Sequence, residues 1–345
     1  MNMYKEIVEQ LTETSSVALC RKWRGLEGEL AQMERKLIGG ADVAAAGAEA
    51  VGAGAISQGL PVCVRDGEAW EMAEPFFPKE RMIILGGGHV ALPVAEFGAK
   101  VGFLVTVVDD RLSFANPGRF PMAEQVLCDG FGHAIETLEI RESDYVVIVT
   151  RGHRHDADCL RMIGKGTEPA YLGMIGSRRR VAMVKEQLLA EGYDAGRLER
   201  LKSPIGLNIG GVTPEEIAIS IIAEVISVKR LSREDKRVHS RSDVDFEVLK
   251  RLSEEEDVPK AVVTVIESKG SSPRGAGAKM IVYADGRLLG SIGGGCSEAA
   301  VLTEARRMIG SGRYKVVHVD LTAEAAEDEG MVCGGVRDVL IEDFG

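Results

Sequence analysis

The sequence has few aromatic residues, no long apolar run and no closely spaced cysteine pair. Aromatic residues make up 5% of the 345 residues and apolar residues 45%, which fits a globular α/β protein with aliphatic cores. No apolar run approaches the roughly 20 residues that a membrane span needs, and the N-terminus lacks a signal-peptide pattern. We therefore expect a soluble, cytoplasmic protein with no membrane partner. The length allows two or three domains of ordinary size.

The chain has fewer basic than acidic residues. The formal net charge is -11, so the chain would repel a phosphate polymer or an anionic membrane unless a local basic patch dominated. No nucleic-acid partner is therefore expected. The cysteines form no C-x-x-C pair, and in a reducing compartment we expect free thiols, most of them buried. They are Cys20, Cys63, Cys128, Cys159, Cys296 and Cys333.

The stretch from Met82 to Asp110 has the pattern of a strand, a glycine loop, a helix and a second strand. Gly86 would allow the tight turn after the first strand, and Gly88 would let backbone amides approach a pyrophosphate. The helix would then direct unpaired N–H groups and a partial positive charge at that anion. Asp109 could accept hydrogen bonds from ribose hydroxyls. This order of parts favours a phosphate-bearing ligand over a purely structural turn.

Two further predicted strands also end in polar loops that contain glycine. Residues 145–149 are continuous in apolar residues, as expected for a parallel strand covered on both faces, and residues 171–175 are another predicted strand. The carboxyl ends of such strands line one crevice, where ligands bind. Three arginines that begin the next helix could neutralise a phosphate or form a solvated face. The candidate cofactor-binding residues of this region are Gly86, Gly88, His89, Asp109, Asp110, Arg111, Thr150, Gly152, His153, Gly176, Ser177 and Arg178.

The run from His153 to Asp156 invites a metal interpretation, because two histidines and an aspartate stand close together. No further histidine or cysteine stands at ligand spacing, so a hydrogen-bonding loop is favoured over a metal site. The chain also lacks a Walker loop, a zinc ribbon and a serine, histidine and acid arrangement with motif context.

The C-terminal part contains two glycine-cysteine loops. Residues 293–296 read Gly-Gly-Gly-Cys before a predicted helix, where unpaired amides and the helix dipole would favour a thiolate. Cys296, the catalytic candidate, could ligate a soft metal, hold a sulfur atom, attack an electrophile or simply pack in the turn. Glu298 could stabilise the helix or contact a ligand. The candidate residues here are Gly293, Gly294, Gly295, Cys296, Glu298, Cys333, Gly334 and Gly335.

We divide the chain into four segments and predict an α/β fold class. Residues 1–78 form a small α/β unit, residues 79–230 a Rossmann-like domain with a doubly wound parallel sheet, and residues 231–246 a charged linker. Residues 247–345 form a smaller α/β domain with the glycine-cysteine loops.

The two ends of the chain look like unequal copies. Tyr4 to Cys20 parallels Phe246 to Ile266, and residues 70–76 parallel residues 338–344. One interpretation is a degenerate N-terminal copy that kept its packing and lost its site. Chance similarity between two small α/β units is the other.

With these residues in view, the chain resembles the xanthine dehydrogenase accessory protein family, also called XdhC/CoxI. The resemblance covers the central and C-terminal domains, and its motifs are jointly specific. They are Gly88-His89-Val90-Ala91, Asp109-Asp110-Arg111, Thr150-Arg151-Gly152-His153, Gly176-Ser177-Arg178, Pro204-Ile205-Gly206-Leu207, Gly270-Ser271-Ser272-Pro273-Arg274, Gly277-Ala278-Lys279-Met280, Gly290-Ser291-Ile292-Gly293-Gly294-Gly295-Cys296-Ser297-Glu298 and Cys333-Gly334-Gly335.

The resemblance implies a protein that binds the molybdenum cofactor, protects it during sulfuration and delivers it to a molybdenum hydroxylase such as xanthine dehydrogenase. It places molybdopterin, or its dinucleotide form, in the glycine-loop crevice and a dithiolene-bound molybdenum near Cys296. The expected partners are this molybdenum hydroxylase and a cysteine desulfurase. The protein is also expected to form a homodimer.

Two other functions remain open at this point. A nicotinamide-dependent oxidoreductase would use the same glycine loop, and Asp109 would favour NAD over NADP. The sequence shows no convincing proton donor beside the nicotinamide position. The other alternative is a nucleotide-sensing interaction module that performs no chemistry. An accessory or chaperone role is preferred over a turnover enzyme.

Overall fold

The chain folds into two compact units. Unit 1 combines Met1–Pro78 with His239–Gly345, and unit 2 is Lys79–Val238. The two terminal segments thus share one unit.

No helix within the described part of the chain is long and apolar enough to cross a membrane. The structure is a computed structural model and describes residues 2–12, 16–39, 50–231, 244–270, 274–294, 296–320 and 335–345.

The N-terminal segment of unit 1 begins with an amphipathic helix, because Tyr4, Ile7 and Leu11 recur at helical spacing and all are buried. The elements are α1 (Met3–Thr12), β1 (Val17–Arg24), β2 (Glu27–Glu29), β3 (Glu34–Gly39), α2 (Ala50–Gln58), β4 (Val62–Asp66) and β5 (Ala69–Phe76). Four of the strands form an antiparallel sheet in the order β3-β1-β5-β4.

Unit 2 alternates strands and helices, as the pattern of its sequence predicts. Its elements are β6 (Arg81–Leu85), α3 (Ala91–Lys100), β7 (Leu104–Asp109), β8 (Gln125–Cys128), α4 (Phe131–Leu138), β9 (Tyr145–Ile148), α5 (His153–Gly164), β10 (Tyr171–Met174), α6 (Arg178–Ala190), α7 (Ala195–Arg200) and α8 (Pro214–Leu231). The strands are parallel throughout and follow the order β10-β9-β6-β7-β8.

Helices cover both faces of this parallel sheet. Met82 and Ile84 of β6 enter a core that includes α3 and α8, whereas Ile83 and Leu85 enter a core that includes α4, α5 and α6. Successive residues of a strand point to opposite faces, so a strand buried on both faces must be apolar at every position. The predicted α/β class with a doubly wound parallel sheet is confirmed.

The C-terminal segment of unit 1 forms most of the larger sheet, which has six strands. Its elements are α9 (Phe246–Ser253), β11 (Lys260–Gly270), β12 (Lys279–Tyr283), β13 (Leu288–Gly290), α10 (Cys296–Met308), β14 (Arg313–Asp320) and β15 (Gly335–Phe344). The strands pair antiparallel in the order β13-β12-β11-β15-β14-β2, so β2 of the N-terminal segment completes this sheet. Val301 and Ala305 of α10 are fully buried against the sheet.

Candidate functional site

The first glycine loop joins β6 to α3 at the point where the strand order of unit 2 reverses. Strand β6 pairs with β7 on one side and with β9 on the other. The chain therefore leaves β6 toward one edge of the sheet and later returns through β9 toward the other edge. The loops that follow β6 and β9 flank the crevice in which open α/β sheets bind ligands.

The three glycines of this loop are surrounded differently. Gly86 has φ +114°, and a Cβ there would lie 2.5 Å from the Val149 carbonyl oxygen. A Cβ on Gly87 would lie 2.5 Å from the Phe114 carbonyl oxygen. Around Gly88, in contrast, no atom lies within 4 Å of the position of a Cβ. The first two glycines are thus required by the protein's own backbone, whereas the third leaves open space for a ligand.

The loop leads directly into α3. Ala91, the first helical residue, is 1% exposed and packs in the core, which brings the helix close to the sheet. The N-cap residue Val90 makes no side-chain hydrogen bond to the helix, so no side chain caps its first amides. His89 is exposed just before the helix. Uncapped amides at a helix start suit an anion.

Asp109, at the end of β7, points into the protein. It is 2% exposed, and its carboxylate accepts hydrogen bonds from the backbone N–H of Gly87 at 2.8 Å and of Arg111 at 3.0 Å. The Arg111 guanidinium adds two more, at 2.8 and 3.0 Å. Burial alone would raise the pKa of Asp109, but the hydrogen bonds from Arg111 and Gly87 outweigh it and lower that pKa. The carboxylate closes the glycine loop, and a ribose would have to compete for it.

Asp110 is exposed and has a partner of its own. It accepts a bidentate pair of hydrogen bonds from Arg151, at 2.6 and 2.8 Å, which ties the end of β7 to the loop after β9. Arg111 lies 3.8 Å from the same carboxylate. Two of the arginines near the crevice are therefore held in place by its two aspartates.

The segment after β7 folds back over the glycine loop and contributes a residue that sequence reasoning missed. Arg119 donates a hydrogen bond to the carbonyl oxygen of Gly88 at 3.4 Å. Its Nε is buried and has no hydrogen-bond partner among the described residues. The ring of Phe114 lies near two guanidinium groups, with its centroid 3.7 Å from that of Arg111 and 5.5 Å from that of Arg119. Cations and an aromatic ring thus border the open glycine.

The end of β9 carries a buried network. The Thr150 hydroxyl hydrogen bonds to Asp156 at 2.5 Å, and Arg180 of α6 forms an ion pair with the same carboxylate. Asp156 is fully buried, and this burial raises its pKa despite Thr150 and Arg180. His155 packs edge-on against Phe131, with ring centroids 5.6 Å apart. The aspartate therefore joins α5 to α6.

The remaining candidates of unit 2 lie around these strand ends. Gly152 is the N-cap of α5, which begins with His153, whose side chain lies outside the described part of the structure. Ser177 caps α6 by accepting a hydrogen bond from the Arg180 amide at 3.3 Å. Arg178 is exposed in the first turn, next to Gly176. Across the described residues, no three metal-ligating side chains come together.

The second glycine loop, in unit 1, leads into α10. One oxygen of the Glu298 carboxylate accepts hydrogen bonds from the Ser291 hydroxyl at 2.7 Å and from the amides of Ile292 and Gly294, both at 2.9 Å. The Gly293 amide donates to Ser291 at 3.0 Å. Burial opposes ionisation of Glu298, but these hydrogen bonds outweigh it and lower its pKa.

A buried arginine supports this loop from the other side. Arg337 of β15 is 2% exposed and donates to the carbonyl oxygen of Ile292. Cys296 is the first residue of α10, and Gly335 is the first residue of β15. The side chain of Cys296 and the whole of Gly295, Cys333 and Gly334 lie outside what the structure describes.

The other described cysteines form no disulfide, but only two of the four are buried. Cys20 and Cys159 are buried, Cys63 is partly buried and Cys128 is exposed, so the prediction that most cysteines are buried holds for half of these four. Burial, with added repulsion from Glu267 and Asp338, raises the pKa of Cys63 to about 12. A thiol with such a pKa is a poor nucleophile near neutral pH.

A parallel sheet with an open glycine loop at its switch point defines a Rossmann-type protein, here joined to an antiparallel unit with a second glycine loop. Two family descriptions match the chain. They are "XdhC Rossmann domain" over residues 82–225 and "XdhC and CoxI family" over residues 253–320. The chain belongs to the XdhC and CoxI family, as the resemblance of its motifs predicts.

Curated relatives match parts of the chain. "Uncharacterized protein YqeB" of Escherichia coli is 37% identical over 154 residues, which are 44% of this chain and 28% of that protein. A protein of Bacillus subtilis named as a probable xanthine dehydrogenase subunit is 30% identical over 153 residues, 44% of each chain. "Molybdenum cofactor insertion chaperone PaoD" of Escherichia coli is 50% identical over 56 residues, 16% of this chain and 18% of that one. The chain spans less than half the length of each.

A solved structure shares the fold. It is described as a xanthine dehydrogenase from Bacillus halodurans and is 24% identical, with a TM-score of 0.50. The match covers 71% of this chain and 66% of the other. At this level of identity the likeness concerns the fold alone.

Proposed function

We propose that this protein binds the molybdenum cofactor and takes part in its maturation and insertion into a molybdenum hydroxylase of the xanthine dehydrogenase type. The observation that carries the proposal is the open position at Gly88, in a crevice bordered by arginines, in a chain of the XdhC and CoxI family. A relative named as a molybdenum cofactor insertion chaperone supports the cofactor, and a relative named as a probable xanthine dehydrogenase subunit supports the partner.

The residues around Gly88 fit the phosphate end of such a cofactor. The backbone can approach a ligand closely there because no atom fills the space beside Gly88. Arg119 keeps a buried Nε without a partner among the described residues, and its guanidinium already lies against the loop. Charge-assisted hydrogen bonds from arginine to phosphate oxygens are among the strongest that proteins make. A mononucleotide, dinucleotide or bare phosphate tail would satisfy this crevice.

The second loop has a different task in this proposal. The cofactor would supply a molybdenum atom bound through a dithiolene, and Cys296 is the side chain that we propose for contact with molybdenum. Glu298 accepts hydrogen bonds from this loop and Arg337 donates one to it, so protein side chains support the described part of the loop before α10. A cysteine desulfurase would supply sulfur, and the molybdenum hydroxylase would receive the finished cofactor. A homodimer remains a prediction.

Binding of purified molybdenum cofactor to the whole protein tests the proposal. We expect the wild type to retain both pterin, measured by fluorescence after oxidation, and molybdenum, measured by mass spectrometry of the metal. Gly88→Ala should lose both, because its methyl group would occupy the space of the tail. Cys296→Ala should retain less molybdenum, whereas the matched variant Cys63→Ala should behave as wild type. Equal binding by wild type and Gly88→Ala would refute the proposed seat.

An NAD-dependent oxidoreductase is the second candidate, favoured by the position of the glycine loop at the switch point. Asp109 would have to hold the ribose, but its carboxylate already accepts hydrogen bonds from Gly87 and Arg111. Fluorescence titration with NADH separates the two functions. Tight binding with substrate-dependent oxidation would favour this class, and weak binding without oxidation would favour the accessory role.

A further inference from the structure

Unit 1 contains the same arrangement of helices and strands twice. The N-terminal copy contains α1, β1, β3, α2, β4 and β5 in chain order, and the C-terminal copy contains α9, β11, β12, α10, β14 and β15, whereas β2 and β13 have no counterparts. The strand order β3-β1-β5-β4 corresponds position by position to β12-β11-β15-β14, and all of these pairs are antiparallel. This agreement supports duplication over chance similarity between the two ends of the chain.

The strand registers make individual residues equivalent. Phe76 lies opposite Val17, as Phe344 lies opposite Lys260, and counting along both pairs of strands from these positions aligns the two copies. Three equivalent pairs of polar or charged residues lie on these strands, and all of their members except Arg35 are buried. They are Glu74 with Glu342, Arg35 with Lys279, and Arg21 with Thr264.

Two ion pairs connect the two copies in a reciprocal way, one of them fully buried and the other with an exposed arginine. Lys279 of the C-terminal copy pairs with Glu74 of the N-terminal copy at 2.9 Å. Arg35 of the N-terminal copy pairs with Glu342 of the C-terminal copy at 3.1 Å. Each copy thus presents the same glutamate position to the same basic position of the other. In an interface with two-fold symmetry, a residue i of one subunit contacts a residue j of the other, and residue j of the first subunit contacts residue i of the second. The two ion pairs follow this pattern.

One arginine lies between the two pairs. Arg21 is 1% exposed, donates a hydrogen bond to Glu74 at 3.3 Å and lies 3.7 Å from Glu342. Its counterpart Thr264 accepts a hydrogen bond from Lys279 at 2.9 Å. The symmetry is therefore approximate at this position, where a single cation serves both carboxylates.

Apolar contacts follow the same symmetry. The buried faces of α1 and α9 lie in one hydrophobic cluster, which combines Tyr4, Ile7 and Leu11 with Val248, Leu249 and Leu252. The ring of Tyr4 packs on Phe344, with centroids 5.8 Å apart. Without the N-terminal copy, α9 would lose the part of its packing that α1 supplies, and Glu342 would lose its ion pairs with Arg21 and Arg35.

We propose that the N-terminal copy is a built-in partner subunit, which occupies the face that the C-terminal domain would otherwise use to pair with a second copy of itself. Unit 1 is then an intramolecular pseudo-dimer. The face formed by α9, β12 and β15 is closed to a second chain, and any homodimer uses another surface. This inference does not depend on the proposed function.

Charge reversal in the full-length protein tests the pairing. Glu74→Lys places a cation beside Lys279 and Arg21, and should lower the folding equilibrium constant on the order of a hundredfold or more. Adding Lys279→Glu should recover at least about tenfold of this loss, because the pair is restored with opposite signs. Glu71→Lys on the same strand is the control, since Glu71 forms its ion pair with Lys22 of its own copy, at 3.4 Å. It should change folding little.

Refolding the two single variants together tests the symmetry itself. In a mixture of Glu74→Lys chains with Lys279→Glu chains, each N-terminal copy finds a complementary face only on the other chain. Native mass spectrometry should then show a one-to-one complex of two chains, and neither variant alone should form it. A double variant no more stable than Glu74→Lys would overturn the reciprocal pairing. A mixture that yields no heterodimer would overturn the role of the N-terminal copy as a partner subunit.

Discussion

Both glycine loops of this protein precede a helix, yet each is closed by its own carboxylate in a different way. In unit 2, Asp109 accepts a hydrogen bond from the Gly87 amide, and the space beside Gly88 stays open. In unit 1, Glu298 accepts from the amides of Ile292 and Gly294, and Ser291 takes that of Gly293. The first loop keeps room for an external anion, whereas the second already holds an internal one.

The difference separates two tasks that the sequence makes look alike. The described amides of the second loop, from Ile292 to Gly294, already donate to oxygens of the protein and are therefore not open to a phosphate. The glycine-cysteine loop is therefore better understood as a support for Cys296 than as an anion seat. The glycine loop of unit 2, with Arg119 beside it, is the proposed phosphate seat.

The largest effect on stability is expected for a substitution at Gly87, where an added side chain would collide with the backbone. Gly87→Ala would place a methyl group 2.5 Å from the Phe114 carbonyl oxygen, which cannot move without distorting the loop. We expect a loss of about 3 kcal/mol in the free energy of unfolding. Gly88→Ala, with open space around its methyl group, should stay within about 0.5 kcal/mol of wild type. Urea unfolding of both variants measures this contrast, and equal losses would remove the distinction between the two glycines.

Removal of the internal carboxylate should loosen the second loop. Glu298→Ala leaves a hydroxyl and two amides without their acceptor, which should cost about 1–3 kcal/mol of stability. Glu298→Gln keeps an oxygen at the same position and should lose less. The rate of Cys296 alkylation, followed by mass spectrometry of the labelled peptide, reports on the loop directly. A rate in Glu298→Ala equal to that of wild type would show that Glu298 does not position the cysteine.

The closure of the first loop by Asp109 should appear in the pH dependence of stability. Its pKa is lower in the folded protein than the usual value of about 3.9, so the carboxylate contributes stability above that value. That contribution is lost as the pH falls toward the lowered pKa. Below about pH 4, wild type should therefore lose stability more steeply than Asp109→Asn. Thermal unfolding between neutral and acidic pH compares them, and parallel curves would contradict the inward role of Asp109.

A smaller effect is expected at Arg119. Arg119→Ala should weaken pyrophosphate binding about tenfold, because one charge-assisted hydrogen bond is lost. Lys100→Ala is the control, since Lys100 is exposed at the opposite end of α3. Calorimetric titration measures both variants. Unchanged affinity in Arg119→Ala would place the anion elsewhere.

The sequence predicts the fold of unit 2 well because every signal there is local. The apolar runs at 82–85 and 145–149 require burial on both faces, and Gly86 with Ala91 fixes the turn into the helix. The relation between the two ends of the chain is harder to predict. Equivalent positions of the two copies carry different residues, as at Arg21 and Thr264. Only the strand registers reveal that these positions correspond.

The candidate site was predictable in its location but not in its electrostatics. A carboxylate at the end of β7 could point toward a ribose or toward the protein, and the residues that decide this, Arg111 and Gly87, contact it through the folded loop. Arg119 stands ten residues beyond Asp109, with no motif around it, and only the fold brings it to Gly88. Likewise, the spacing of Cys296 and Glu298 does not reveal that the glutamate occupies the loop amides.

The central claim is that an anion sits at Gly88 and not at the glycine-cysteine loop. Calorimetric titration of pyrophosphate into wild type, Gly88→Ala and Cys296→Ala tests this most directly, with thermal unfolding as a check that each variant is folded. We predict that Gly88→Ala no longer binds pyrophosphate while Cys296→Ala binds it as wild type does. Retained binding in Gly88→Ala together with lost binding in Cys296→Ala would contradict the claim.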